Sequence, residues 1–387
     1  MDRHLYVWRA DGTPQPGFPV QVVDRTQMAS IDPVSHHVVP KVVGGQSVSL
    51  QGTKIVSTPA VGVLTPGGKP TIVLGTNEEY REAPNFSSVG NGGILGFILL
   101  GLLDPGNGRL YAVPAGGNAD PAGAGNPAGP FLAGWPAHVA VLVTELLPWI
   151  EGVPGAPALA DVDGDGSLEI GISGVVGPAY VLRADGTSFY GNGPDGKPIT
   201  LPSDTAAFGA EANSLDGPSI AALGSGTFAP IGPGGDMVFV TPAAGIGRLI
   251  DANVPAEQLP NDDHIDAWDA QTRTFLPAFP RLTEDFAFFS NPSVADVDGD
   301  RRAEILLGSG GYLVHAVDAT GKEARGWPKF TGNWIIATPA VSRFGTGERV
   351  AVTTREGNLF LWRAHGGRAA RLWPRYHHDA TNSGRLP

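Results

Sequence analysis

Two short phrases alternate along this chain of 387 residues, and their repetition limits the fold more than any other feature. The first, x-Pro-[Ala/Ser]-[Val/Ile/Leu], recurs at 58–61, 156–159, 217–220, 291–294 and 338–341. The second is an apolar alternation followed by a turn and then an aromatic-Pro or aromatic-Gly pair. It starts at Leu5, Leu110, Ala179, His264, Leu313 and Leu359. Between them lie β-rich stretches such as 169–174, 304–309 and 350–354. Each unit therefore reads as four short strands separated by turns. A four-stranded sheet repeated every 40 to 50 residues or so predicts an all-β chain folded as a β-propeller. Parallel α/β folds are excluded, because no long segment of 3.6-residue period separates the strands.

Composition agrees. Glycine (55) and proline (35) supply turns at nearly twice ordinary usage. The apolar content of 42% is enough to bury a core, and with only 17% charged residues disorder is not expected. The prolines of the first phrase fall at the first residue of a strand, where a missing N–H is tolerated.

The repeat predicts one domain over 1–387. It comprises an incomplete first blade and loop (1–56), then blades at 57–139, 155–191, 216–283, 290–331 and 337–379. Six copies of the second half-unit stand against five of the first, so the N-terminal blade lacks its two inner strands. The tail after Trp373 is too short to supply them, and a six-bladed ring, open or in part, is expected. The once-per-blade aromatics Phe18, Trp135, Phe279, Trp327 and Trp373, with Trp8, Trp268 and Trp362, are expected to pack between neighbouring blades. Uneven spacing places insertions in the first and third full blades. Segments 78–93 and 116–130 read as loops, and 137–151 as a short helix ending near Pro148.

The net charge of −12 is the wrong sign for nucleic acid or an anionic membrane surface and the right one for cations. The absence of cysteine excludes disulfides and thiolate chemistry. The longest apolar run, 94–103, is too short to cross a bilayer and reads as a buried strand or short helix, so no membrane insertion is expected. The start, MDRHLYVWRADG, has no signal-peptide pattern. That leaves a cytoplasmic chain or one whose N-terminus lies upstream, and the unequal count of half-units favours the second.

Two nine-residue segments concentrate carboxylates. One carries Asp161, Asp163, Asp165 and Glu169, the other Asp296, Asp298, Asp300 and Glu304, each at positions 1, 3, 5 and 9 directly after a Pro-Ala-Leu or Pro-Ser-Val strand. Such crowding costs about 4 kcal/mol per pair at 4 Å and an effective dielectric of 20, which a divalent cation removes. Calcium is expected in both, since it accepts six to eight oxygens at flexible geometry. The side chains named, together with the carbonyls of Ser167 and Arg302, would form the two shells. Gly164, Gly166 and Gly299 let the chain double back, whereas Arg301 takes the place of Gly166 in the second loop, whose geometry and affinity are less well specified for it. Unlike an EF-hand, each loop leads into a strand. The corresponding turns at 62–71, 222–235 and 342–349 lack the acids and are expected to be metal-free.

The motifs ADVDGDGSLEI and ADVDGDRRAEI, each after a Pro-Ala-Leu or Pro-Ser-Val strand and followed by an aromatic-turn strand, resemble FG-GAP/VCBS repeats, the calcium-loop blades of integrin-α-like propellers and of bacterial surface and secreted proteins. The resemblance spans nearly the whole chain but is sharp in two of the five full blades. It implies a propeller used for adhesion or ligand display, extracellular or on the cell surface, as part of a larger exported protein. The closing WPRYHHDATNSG is similar to tails that end such propellers.

Other groupings are weaker. His377, His378 and Asp379 could hold a transition metal, but neighbours along a strand point to opposite faces. Asp262, Asp263 and His264 read as a solvated turn. No nucleophile elbow, HExxH or phosphate loop occurs. The expected function is a non-enzymatic module that binds protein or carbohydrate through its insertion loops. The alternative is a propeller enzyme, such as a polysaccharide lyase or quinoprotein-like dehydrogenase, with its site in the central funnel.

Overall fold

Short apolar alternations bounded by prolines and by glycine or aspartate turns can bury one face only by pairing with one another, and here they do so locally, strand after strand. The computed structural model describes residues 3–51, 54–83, 104–143, 152–174, 178–194, 196–202, 224–243, 263–284, 286–367 and 371–387. Among the described residues the chain is a β-propeller of five antiparallel blades preceded by three two-stranded sheets, His4–Leu5 with Val20–Gln21, Met28–Ile31 with Val38–Pro40 and Val42–Val43 with Gln46–Ser47. The first blade pairs Ala60–Val63, Pro70–Tyr80, Asp104–Pro114 and Ala137–Val143, with Ser49–Gln51 along the far end of its second strand. The second blade is Ala158–Ala160, Glu169–Ser173 and Ala179–Leu182. Thr227–Ala229, Val238–Ala243 and His264–Asp269 form the third, with Thr274–Phe275 and Arg281–Leu282 on its outer edge. The fourth is Ser293–Ala295, Glu304–Gly308, Leu313–Val317 and Lys329–Phe330, and the fifth Ala340–Phe344, Gly347–Thr353 and Leu359–Arg363.

The core lies between blades. Phe228 and Phe239 of the third blade press on the second blade at Gly171, where a Cβ would sit 2.3 Å from the Phe239 ring. The recurrent aromatics do the same work. Trp135 Nε1 donates to the Ala184 carbonyl of the second blade at 3.0 Å, and Trp268 Nε1 to the Pro202 carbonyl at 2.9 Å. Trp327 of the fourth blade meets Trp362 of the fifth edge-on at 6.1 Å. Trp8 departs from the expectation: it stacks on Tyr6 but is 60% exposed.

A second departure concerns the end of the chain. Trp373 was expected on the outer strand of the last blade, yet Arg371–Trp373 pairs with Ser293–Ala295, the inner strand of the fourth. From there the tail visits the inner strands in turn. The Pro374 carbonyl accepts from Val341 N–H (2.7 Å), that of Ser383 from Val61 N–H (2.8 Å) and that of Gly384 from Leu159 N–H (2.8 Å), while Leu386 N–H donates to the Leu159 carbonyl. Trp373 and Leu386 are buried with Phe228 of the third blade. Inner strands end the sheets with unsatisfied backbone groups facing the axis, and the tail supplies partners there.

Three further expectations need correction. Segment 137–143 is a strand, not a helix, because it pairs residue by residue with 104–110. Glu78, Glu79 and Tyr80 are the buried end of a strand rather than a loop. Asp263 and His264 are buried, not solvated. The phrase at 217–220, the run 94–103, the segment 84–93 and residues 144–151 lie outside the described residues.

A charged pin joins the third and fourth blades. His315 Nε2 lies 2.8 Å from Glu284 Oε2 and Nδ1 lies 2.5 Å from Glu323 Oε1, which also accepts from Arg281 at 3.0 Å. Burial alone would lower the His315 pKa, but the two carboxylates outweigh it and raise the value from 6.5 to about 9. A histidine raised on folding stabilises fully below its unfolded pKa and loses that contribution as pH climbs through the folded value. Stability should therefore fall by about 2 kcal/mol between pH 6 and pH 10, an amount discounted for the partly exposed Glu284. Urea unfolding across that range checks this, and His315→Gln should flatten the profile over the same interval.

Candidate metal centres

The first acidic loop leaves the inner strand of the second blade at Ala160 and re-enters the sheet at Glu169. Its carboxylates hold the backbone in a fixed curl. Asp161 accepts from Gly164 N–H (2.7 Å) with one oxygen and Gly166 N–H (3.0 Å) with the other. Asp163 accepts from Asp165 N–H (3.2 Å), and Asp165 from Ser167 N–H (2.6 Å). Glu169 reaches back to Val162 N–H at 2.9 Å.

The second loop repeats every contact at the same offset. Asp296 accepts from Gly299 (2.6 Å) and Arg301 (3.0 Å), Asp298 from Asp300 (3.1 Å), Asp300 from Arg302 (2.8 Å), and Glu304 from Val297 (2.7 Å). Asp298 is further held by Arg325 N–H at 3.0 Å. Arg301 keeps this geometry by adopting φ +75, where Gly166 has φ +88. A side chain in that left-handed region costs about 1–2 kcal/mol. Arg301→Gly should accordingly stabilise the protein by about 1 kcal/mol, once the greater chain entropy of unfolded glycine is subtracted. Denaturant unfolding of the two proteins measures the difference.

The spacing brings ligand oxygens together. In the second loop one oxygen from each of Asp296, Asp298, Asp300 and Glu304 falls within 4.8 Å of the others, and in the first loop the set is Asp161, Asp163 and Glu169. These are the two such groups among the described residues. Asp165 is turned toward Ser167 N–H and stands outside the first group. Ser167 and Arg302 lie between the aspartates and the glutamate, each donating its N–H to the carboxylate two residues before. Burial raises Glu169 to about 7 and Glu304 to about 8, against the pull of the Val162 and Val297 N–H groups, and the neighbouring aspartates add to the rise. At 4.8 Å a carboxylate pair repels by about 3 kcal/mol at an effective dielectric of 20. The donor set is all oxygen, anionic and already curled by its own backbone, which fits a hard divalent cation of the calcium kind. The histidines of 377–379 occupy a turn rather than a strand, and His377 Nδ1 pairs with the Asn382 carbonyl at 3.0 Å.

Sequence reasoning missed a buried charge cluster at the far end of the first blade. Arg109, fully buried, pairs with Asp24 (3.0 Å) and Glu82 (2.5 Å) and lies 4.7 Å from the Tyr80 ring. Tyr111 donates to Glu78, whose pKa burial raises to about 7. The available signal was weak: the run Thr76-Asn77-Glu78-Glu79-Tyr80 follows the apolar stretch 71–74 after a single glycine, Gly75, and contains no proline or glycine of its own.

No family model matches the chain, and no curated protein matches it. Among solved structures it is similar to BamB from Moraxella catarrhalis, at 11% identity over 94% of this chain and 79% of that one, with a TM-score of 0.34. It is also similar to BBS1N in its complex with ARL6DN (11% identity, 82% and 84%, TM-score 0.33). A third is a quinohemoprotein alcohol dehydrogenase from Pseudomonas putida HK5 (12% identity, 92% and 60%, TM-score 0.38). At these scores the likeness is coarse and carries no function across.

Proposed function

We propose that this chain is a calcium-stabilised β-propeller of the FG-GAP/VCBS type, a non-enzymatic ligand-binding or adhesion module of an exported or cell-surface protein. The observation that carries the reading is one hydrogen-bonding scheme kept in two loops that share Asp-Val-Asp-Gly-Asp but differ at the next three residues, both ending on a buried glutamate. The long insertions of the first and third blades are the natural ligand-contacting segments, and a protein ligand is the favoured one, carbohydrate the alternative.

Calorimetric titration tests the reading. Calcium should bind at two sites per chain, and magnesium more weakly, because it demands stricter octahedral geometry and gives up water reluctantly. Absence of calcium binding at millimolar concentration would remove the calcium assignment. Turnover of polysaccharide, or of alcohols with a quinone cofactor added, would remove the non-enzymatic one.

A further inference from the structure

A cavity of about 630 Å³ opens between the third and fourth blades, against the second acidic loop. It falls where the third-blade turn 230–235, the loop 296–303, the turn 318–320 and Leu372 of the tail come together. That volume is within the range of small-molecule sites, about 300–1,000 Å³. Its apolar part is the edge of the core. Ile231, Ala303, Ala319 and Leu372 line it half-buried and pack from there on the cluster of the second, third and fourth blades. Arg301 and Arg302 line it as well. The first acidic loop has Gly166 and Ser167 at these positions, so the two cations belong to the loop beside this cavity.

Arg301 stands where glycine would be the relaxed choice, at φ +75. Its guanidinium makes no ion pair or hydrogen bond among the described residues, and that of Arg302 lies 3.9 Å from an Asp300 oxygen on an exposed edge. The two carboxylates in the wall are already engaged. Asp296 accepts from Gly299 and Arg301 N–H, and Asp318 from Thr320 N–H (2.8 Å), the Thr320 hydroxyl (2.7 Å) and Lys322 N–H (3.0 Å). Backbone strain that holds an unpaired cation at a cavity wall points to use, because packing gains nothing from it. We propose that this cavity binds an organic carboxylate with an apolar body, the carboxylate on Arg301 and Arg302 and the body on Ile231, Ala303, Ala319 and Leu372. A guanidinium meets a carboxylate with two parallel hydrogen bonds, and the apolar floor takes the body out of water. This assignment rests on the reading of the chain as a binding module, but not on its calcium.

Octanoate and the peptide acetyl-Ala-Leu-Leu, with its free terminal carboxylate, present that chemistry as a small organic acid and as the end of a protein. Titrated into the full chain by calorimetry, at least one should bind with a dissociation constant below about 1 mM, and octanamide, which lacks the charge, about tenfold or more weakly. Arg301→Gly should weaken carboxylate binding by about tenfold while the melting temperature rises, because glycine relaxes the loop. A loss of binding coupled to a gain in stability separates a ligand contact from a merely structural one. Arg302→Gln should weaken binding by a similar factor, and Arg9→Gln, at an exposed arginine ahead of the first blade, should leave it unchanged. Failure of both carboxylates to bind, equal binding of octanamide, or indifference to Arg301→Gly would overturn the pocket. Calcium uptake without carboxylate binding would overturn it too, with the calcium assignment left standing. Carboxylate binding in a chain that takes up no calcium would uphold the pocket and remove the calcium.

Discussion

A chain ending at residue 370 is expected not to fold cooperatively, although it keeps every blade strand. The tail contributes the backbone hydrogen bonds to Val61, Leu159 and Val341 and the short ladder with Val294 and Ala295. Each is worth about 1 kcal/mol net, and more where its loss leaves a buried group unpaired. It also buries Trp373 and Leu386 in the cluster of the second, third and fourth blades. Truncating a buried tryptophan costs about 3–5 kcal/mol and a leucine about 2–5. Together these approach the whole stability of an ordinary domain, about 5–15 kcal/mol. Two point variants separate the contributions. Trp373→Ala should lower the urea unfolding free energy by about 3–5 kcal/mol, and adding Leu386→Ala should remove at least about 2 more. A change under about 1 kcal/mol for Trp373→Ala would mean that the tail lies on the inner strands without holding them.

The placement of this tail was not legible in the sequence, and the reason is physical. In the earlier units the aromatic-Pro pair precedes or opens an outer segment, as at Trp327-Pro328 before Lys329–Phe330, so Trp373-Pro374 reads as one more. A strand's own residues specify which face is apolar, but not which free edge it will join. That choice was made by the inner edges of four blades, an arrangement visible only once the ring exists. The same limit explains Trp8, whose sequence register is that of a buried inter-blade aromatic but whose ring stacks on Tyr6 and is 60% exposed. The run Ala137–Val143 failed for another reason: continuous apolarity has no period, and its strand character comes from pairing with Asp104–Leu110. Arg109 and Glu78 were hidden because charge in a strand signals exposure unless a partner far along the chain, here Asp24, neutralises it. The acidic loops, by contrast, were readable because their chemistry is local. Asp161, Asp163 and Glu169 converge through a curl that their own neighbours' N–H groups close, and the same holds for Asp296 to Glu304. What spacing alone did not give was that Asp165 stands outside the first group while Asp300, which makes the matching contact to Arg302 N–H, stands inside the second, and that Arg301 takes a glycine's conformation at a cost.

Calcium at one hundred times its dissociation constant should stabilise the wild-type chain by about 2.7 kcal/mol per site, hence about 5 for both. For a chain of this size that corresponds to a rise in melting temperature of roughly 7 °C over the chelator-treated protein. The decisive comparison uses Asp163→Asn and Asp300→Asn. Asparagine keeps the acceptor oxygen that receives Asp165 N–H in one loop and Arg302 N–H in the other, so the curl survives while one charge is removed from each group. In chelator the double variant should be more stable than wild type by about 1 kcal/mol, because exposed carboxylates within 4.8 Å no longer repel at full strength. In calcium the order should reverse, since each site has lost an anionic ligand and with it most of the linkage. That crossing is peculiar to a cation site. If the loops were plain aspartate turns, the substitutions would shift the melting temperature equally in both buffers, and wild type would melt at one temperature with or without calcium.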